Sequence, residues 1–372
     1  MNLIGLALRN LRRRPVRTSL SILGIGLAVG GALALIALSR SIQDSSREAI
    51  NELGDDFVVT QKGAADIFGG FIPEATIERV AAIPGVARVS GELFMFAPSA
   101  EQRSVLTLGW PDTSYLWKKV PLREGRLPAP GERHVAVLGD SAAAALGKKL
   151  GGEIELIGET FRIIGISNYT TVINRGLVLV PLIDLQEASY RLRQVTVIHV
   201  NVERGAVPAE PGRVRAAIEA LGNVTAATAN EMLKNDRNLA ILDAVSLAIS
   251  IIAVAMGALS VLSALVMATQ ERTREIGIFA AIGWSNARIM ASIVIEGMLM
   301  CAIGCVLGVL FSFLAAFSFP YIPAIGSLIS FKPSVALIAP VVVAAFVLCV
   351  LGALLPAWRA VRMVPAEALR RL

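Results

Sequence analysis

Histidine and cysteine are nearly absent. The 372 residues hold two histidines, His134 and His199, and three cysteines, Cys301, Cys305 and Cys349. A disulfide scaffold is excluded by that count and by the length. The histidines have no HExxH-type partner, there is no GxSxG elbow, and each histidine reads as a strand residue with no metal to hold. A phosphate loop is missing as well. The stretch 139–149 resembles one, but Ala142 stands where the first glycine must be and Lys149 where a Ser or Thr is needed. The expectation is therefore no catalytic residue, no cofactor and no ATP site on this chain. Charge is scarce too: 17% of residues are charged and 55% hydrophobic, against about 25% and ~45–50% in soluble domains. That balance excludes an ordinary soluble enzyme and global disorder.

The scarcity of charge is uneven. Four runs carry none: Thr18–Ser39 (22 residues), Ala244–Gln270 (27), Gly297–Phe331 (35) and Pro333–Trp358 (26). A bilayer core takes about 20 apolar residues per helix, and in lipid only a helix satisfies its own backbone. The third run is too long for one span, and Pro320, Pro323 and Gly326 end it near Phe319. The fold class expected is four transmembrane helices with a mixed α/β domain between the first and second. The first run exceeds the 7–15 residues of a signal-peptide core, so it reads as a retained anchor. The divisions are an N-terminal amphipathic helix 1–17, spans at 18–39, 244–270, 289–319 and 335–358, an outer domain 40–243, a connecting segment 271–288, an external loop 320–334 and a tail 359–372.

Basic flanks mark the cytoplasmic side. Residues 1–17 hold five Arg and no acid, 271–288 three Arg and two Glu, and 359–372 four Arg and one Glu. Residues 40–243 hold 22 basic and 25 acidic side chains. Both termini and the 271–288 loop are thus expected in the cytoplasm, and the net charge of +6 reads as topology. A nucleic-acid footprint would gather on one soluble face instead, so no nucleic-acid partner is expected.

Within 2–14, Leu3, Ile4, Ala7, Leu8 and Leu11 form one stripe and Arg9, Arg12 and Arg13 the other, a pattern that lies at a lipid interface. Helical periodicity continues past Arg40 to Gly54 and resumes near Asn230. These two stretches are either a helical stalk or plain connecting helices. Between them, strands are expected at 56–61, 86–89, 134–138, 153–157, 161–166, 177–180 and 195–202, and helices at 73–82, 141–149 and 214–221. Cys301 and Cys305, one turn apart, read as small packing residues. Glu296 is the one acid inside the apolar region, where a charge costs about 2.5–3.5 kcal/mol. It is read as a polar helix–helix contact, an interfacial group or a substrate or proton site. The 271–288 segment is charged first and apolar after. It reads either as a helix that enters a groove on a partner or as a plain interfacial helix.

The run ERTREIGIFAAIGWS (271–285) resembles the E-[RK]-x-x-E-[IF]-[GA]-x-[LM]-[RK]-A-[IL]-G signature of the MacB-type ABC permeases, the group that includes FtsX, LolC/LolE and HrtB. The tail PAWRAVRMVPAEALR (356–370), the start LRNLRRRPVRTSL (8–20) and the outer-domain stretches LREGRL (122–127), VLGDSAA (137–143) and FRIIGI (161–166) are similar to that group as well. The pattern's basic residue is missing around Phe279. The resemblance implies an inner-membrane, multi-pass permease that transmits the motion of a separate MacB/LolD-type ATPase to its outer domain. It implies a second permease copy, in a homodimer or heterodimer, membrane lipid around the spans and a periplasmic adaptor in the efflux members. ATP would sit on the partner. Glu271, Arg272, Arg274, Glu275, Gly277 and Gly283 are the matching coupling positions. Export of a hydrophobic or amphipathic molecule is the leading implied function. The alternatives are a lipoprotein-releasing permease, an FtsX-like transmitter controlling an external hydrolase, and a receptor without an ATPase.

Overall fold

The computed structural model describes residues 3–64, 69–101, 104–203, 211–318 and 335–361. In chain order the elements are α1 (Leu3–Arg13), α2 (Pro15–Leu53), β1 (Phe57–Gln61), β2 (Ile72–Pro73), α3 (Ala75–Ala81), β3 (Val86–Pro98), β4 (Ser104–Trp110), a 3-10 turn (Tyr115–Lys119), β5 (Leu122–Gly125), β6 (Val135–Gly139) and α4 (Asp140–Leu146). There follow β7 (Glu153–Leu156), β8 (Glu159–Ser167), α5 (Val172–Arg175), β9 (Val178–Pro181), α6 (Leu182–Ala188), β10 (Gln194–Val195), β11 (Val197–Val202), α7 (Pro211–Glu219), β12 (Val224–Ala227), α8 (Ala229–Asn235), α9 (Arg237–Glu271), α10 (Thr273–Ala281), α11 (Asn286–Ser318) and α12 (Val335–Val361). The chain divides into two compact units. One takes residues up to Ser39, Asp243–Ser318 and those of α12; the other takes Arg40–Leu242.

The helical unit contains four helices long and apolar enough to cross a membrane among the described residues: α2, α9, α11 and most of α12. At 39 residues, α2 is about 58 Å long, well beyond a hydrocarbon core of about 30 Å. Its end follows from Gly54, whose φ of +67° a Cβ would resist. Where α2 meets α11, backbones approach closely because side chains are missing. A Cβ on Gly304 would lie 2.6 Å from Ile25 Cγ2, and one on Gly30 would lie 2.9 Å from the Gly308 carbonyl. Small residues at such crossings are the usual route to tight packing between membrane helices. Cys301, Cys305 and Cys349 are buried in the same core as Ile25, Val261 and Ala353.

The α/β unit is built on one sheet, ordered β12-β1-β11-β3-β4-β9-β6-β8-β5, with β7 beside β8. The β4–β9 and β6–β8 pairs are parallel and the rest antiparallel. The strand expected at 86–89 is much longer, 13 residues. Its first half pairs with β11 and its second half with β4. Gly91 and the glutamate at 92 interrupt the apolar alternation, which is why the sequence pattern stopped early. Ser104–Trp110 was not expected as a strand. Alternation does not mark it, because six of its seven residues are buried, as a strand covered on both faces should be. The helix expected at 73–82 gives its first residue to the short β2–β10 pair. The helix expected at 141–149 stops at Leu146, where Gly147 takes φ +65° and caps it. The expected external loop at 320–334, and 362–372 of the expected tail, lie outside the described residues.

Candidate functional site

The segment 271–288 was expected to be a single helix. It is instead a helix end, a separate nine-residue helix and a helix start. Arg272, at φ −104° and ψ 14°, separates α9 from α10. The far end of α10 closes in a Schellman motif. The Gly283 N–H donates to the Ala280 carbonyl at 3.1 Å and the Trp284 N–H to Phe279 at 3.0 Å, with Gly283 at φ +89°. This is the 5→2 and 6→1 pair that uses a left-handed glycine to satisfy the last carbonyls. The apolar contact that accompanies such a cap is also present: the Phe279 and Trp284 rings stack, 4.7 Å apart and 16° from parallel. The Arg288 guanidinium lies 4.4 Å from the Trp284 centroid. The Ser285 hydroxyl then accepts from the Arg288 amide at 3.4 Å as α11 begins. Phe279 therefore completes the cap in a stretch that lacks the pattern's basic side chain.

The charged half of the segment is tied to the N-terminal helices. Glu271 accepts from Arg14 and Arg17, each at 2.8 Å. Glu275 accepts from Arg13 at 3.1 Å and from Arg272 at 3.0 Å. Arg272 also donates to Glu296 at 3.2 Å, and the Asn10 amide reaches the same Oε2 at 3.4 Å. Glu296 is thus the buried end of a network that joins α1, the α9–α10 junction and α11. Asn10 is the member that sequence reasoning missed. It sits on the apolar side of an amphipathic helix, and a polar residue there was the available signal. Exposed pairs such as Arg13–Glu275 contribute little singly; the buried one is costlier to break. Gly277 is buried, and Arg274 is exposed and makes no ion pair among the described residues. Ile278 and Ile282, one turn apart, are 44% and 69% exposed. The α10 helix therefore presents a basic residue and two bulky apolar ones on its free side.

A second charged cluster lies in the α/β unit. His199 on β11 is buried, with Nδ1 2.8 Å from Asp55 Oδ2 and Nε2 3.3 Å from Glu92 Oε2. Only the first contact has hydrogen-bond geometry. Glu92 also accepts from the Trp110 indole at 2.6 Å, and Asp55 from the Tyr115 hydroxyl at 2.7 Å. Burial pushes the imidazole toward neutrality, but the Glu92 charge and the Asp55 hydrogen bond and charge outweigh it and raise its pKa to about 10. Burial likewise works against the Asp55 charge. The His199 bond and charge, the Tyr115 hydroxyl and Lys119 reverse that and hold its pKa below the ordinary carboxylate value. Burial, then Asp55, pushes the Tyr115 hydroxyl up. His134 is not a strand residue. It precedes β6 in the left-handed region, φ +53°, with an exposed side chain and its N–H bonded to Asp184 at 2.8 Å. Among the described residues no group of three or more His, Cys, Asp or Glu is arranged to hold a metal.

Comparison with known proteins gives two family matches. Residues 18–221 match the MacB-like periplasmic core domain, and residues 247–365 match the FtsX-like permease C-terminal domain. A protein of Mycobacterium tuberculosis (strain ATCC 25618 / H37Rv), named as an uncharacterized ABC transporter permease, is 27% identical over 86% of this chain and 88% of its own length. The macrolide export ATP-binding/permease protein MacB of Nitrobacter winogradskyi is 25% identical over 96% of this chain, which spans 58% of that longer protein. Among solved structures, the periplasmic region of MacB from Actinobacillus actinomycetemcomitans aligns with a TM-score of 0.40 and 14% identity, covering 51% of this chain and 97% of that one.

Proposed function

The chain belongs to the MacB/FtsX-type ABC transporter permeases, and on that premise we propose that it carries ATP-driven motion from a separate ATPase to its α/β domain to export a hydrophobic or amphipathic molecule. The single observation that carries the reading is α10. It is a short helix, fixed at one end by ion pairs and at the other by a stacked glycine cap, with Arg274, Ile278 and Ile282 left free. A helix in a groove is recognised through such i, i+4 anchors. Rigidity at both ends lets a push on α10 reach α9 and α11 without being lost in a loop.

The MacB relative unites an ATP-binding and a permease part in its name, and this chain covers 58% of it. In this reading the ATPase is a separate chain and ATP binds there. The working complex in this reading is two permease copies with two MacB/LolD-type ATPases in an inner membrane, termini and α10 on the ATPase side, lipid around the spans and an adaptor outside. The spans suit mechanical transmission, since Glu296, the one acid within the apolar stretch, is consumed by Asn10 and Arg272. A proton-coupled carrier would need a relay of such groups.

The test is purification of the full chain from its host, followed by identification of what comes with it. An ABC-type ATPase is expected in the wild-type preparation. It should be lost from Ile278→Asp and from Glu275→Lys, while Arg79→Glu on α3 retains it. Recovery of no nucleotide hydrolase, or equal recovery with all variants, overturns the proposal.

A further inference from the structure

The α/β unit holds a cavity of about 320 Å³, inside the 300–1,000 Å³ range of ligand pockets. All its lining residues lie within 42–239, so it belongs to this unit alone. Its walls come from helix ends and the sheet, with Met232 and Leu233 of α8 and Ile173 of α5 among them. Ile50 lies on the last turns of α2, Phe94 and Leu108 on the paired strands β3 and β4, and Leu239 at the start of α9. Next to the cavity, α8 ends at Asn235, Asp236 caps it, and the chain restarts as α9 at Arg237. The space is half open, and a mostly apolar recess of this size is large enough to hold a small lipophile.

Most of the lining is apolar; Ser46, Asn174, Asp236 and Asn238 also reach it, and Glu92 and His199 together form its ionisable sheet wall. His199 is 3% exposed, and its Nε2 has no hydrogen-bond partner in usable geometry. No lysine or arginine is among the lining residues. Asp55 and Lys119 stand behind His199, so the set around the imidazole, two acids, one imidazolium and one ammonium, is neutral; the wall's other acid, Asp236, is engaged at the start of α9, where it accepts from the Leu239 N–H at 3.0 Å. A charged head brought against the neutral set at His199 would be buried there without a counter-ion, which is costly. A neutral group that both donates and accepts suits it: it accepts from the His199 N–H and donates to the Glu92 carboxylate. Buried polar groups are matched in pairs of this kind.

We propose that this cavity is a binding site for a neutral lipophile bearing a hydroxyl, its apolar body between α2, β3–β4 and α9 and its hydroxyl between His199 and Glu92. The inference rests on the export reading for its purpose, naming the class of molecule that such a permease would hold in its α/β domain. It can be tested apart from that reading, because binding requires no ATPase.

The full chain in phosphatidylcholine nanodiscs is photolabelled with a diazirine derivative of dodecanol, with the matching dodecylamine and laurate derivatives as comparators, and labelled peptides are mapped by mass spectrometry. The dodecanol probe is expected to label peptides of residues 42–239 at least several-fold above the other two. Two filling variants from different elements, Ile50→Trp and Leu108→Trp, should each abolish that labelling, so that misfolding of one does not decide the result. Glu92→Gln removes one negative charge and leaves the set around His199 with one positive charge in excess. It should shift the laurate-to-dodecanol ratio upward by roughly tenfold, about one charge-assisted hydrogen bond. Loss of fold can only bring the two probes level, so the variant is read by whether laurate labelling overtakes that of dodecanol. Equal labelling by the three probes, labelling confined to α9, α11 and α12, or labelling unaffected by both Trp variants overturns the proposal. Failure here leaves the ATPase co-purification result standing, and failure of co-purification leaves this one standing.

Discussion

Replacing Arg272 by Met isolates the buried end of the charge network. Arg272 is 22% exposed and Glu296 6%, at 3.2 Å. With the guanidinium gone, the Asn10 amide at 3.4 Å is the one hydrogen bond left to the Glu296 carboxylate among the described residues, with the Arg17 charge farther off. Breaking a fully buried pair by removing one member costs about 3–5 kcal/mol. Here the arginine is partly in water and Asn10 remains, so the loss should sit nearer a single hydrogen bond to a charged group, about 2 kcal/mol. Glu296→Gln should cost less, because it removes the charge that needs compensation. The double variant should resemble Glu296→Gln alone, leaving a coupling energy of roughly 1–2 kcal/mol between the two sites.

The chain supplies its own probe for this measurement. All three cysteines are buried in α11 and α12, and residues 40–243 contain none. A thiol-reactive dye therefore reports opening of the helical unit and is silent to the α/β unit. On the scaling of soluble domains, 2 kcal/mol corresponds to roughly 4–8 °C in the midpoint of a dye-monitored thermal ramp. Scan rate is held fixed across the four proteins, since unfolding of such a chain is read as a rate. A midpoint for Arg272→Met within 1 °C of wild type, or strictly additive shifts in the double variant, would refute the claim that Arg272 compensates Glu296.

Gly283→Ala places a Cβ at φ +89° and should cost about 1 kcal/mol by straining the cap. In a reconstituted complex it is expected to lower substrate-stimulated ATP hydrolysis while the thiol-dye midpoint moves little; full stimulation would count against the cap's role. Gly304→Val drives a side chain into Ile25, 2.6 Å away. It should lower the dye midpoint by the several degrees that correspond to an overpacking cost of about 1–3 kcal/mol. In the α/β unit, the folded pKa of His199, near 10, lies above its unfolded value of about 6.5. The stability it contributes is thus fully present below pH 6.5 and declines as pH rises toward 10. The difference in unfolding between wild type and His199→Gln, followed by near-ultraviolet circular dichroism of the edge-packed Trp110–Trp117 pair, should shrink across that window; a constant difference would sink the assignment.

What could be read from the sequence depended on whether a signal was local. The four apolar runs, the amphipathic first helix and the end of α2 at Gly54 each follow from neighbours within a few turns, and each is there. Glu296 could be singled out because an acid is conspicuous in a stretch without charge. Its partners Asn10 and Arg272 could not, since they are 286 and 24 residues away and only packing brings them in. The single helix expected over 271–288 failed for a related reason. Its periodicity is helical throughout, but Arg272 leaves helical geometry to reach Glu275 and Glu296 together, and Gly283 turns the chain so that Trp284 covers Phe279. Both breaks are made by contacts that a periodicity count does not register.

The Asp55–His199–Glu92 cluster shows the same limit from the other side. Three ionisable residues meet inside a sheet, with Trp110, Tyr115 and Asn201 bonded around them. His199 stood out as one of two histidines, but nothing near it in sequence pointed to its partners, and the contact between Asp55 and His199 spans 144 positions. Buried ion pairs are weak evidence for stability, because well-packed apolar residues often do as well. The arrangement is therefore better explained by what it does at the cavity wall than by what it adds to folding. If it served folding alone, an all-apolar replacement of His199 and Glu92, such as His199→Phe with Glu92→Leu, would stabilise the unit and leave dodecanol labelling intact. The expectation is that the unit stays folded and the labelling preference for the hydroxyl disappears.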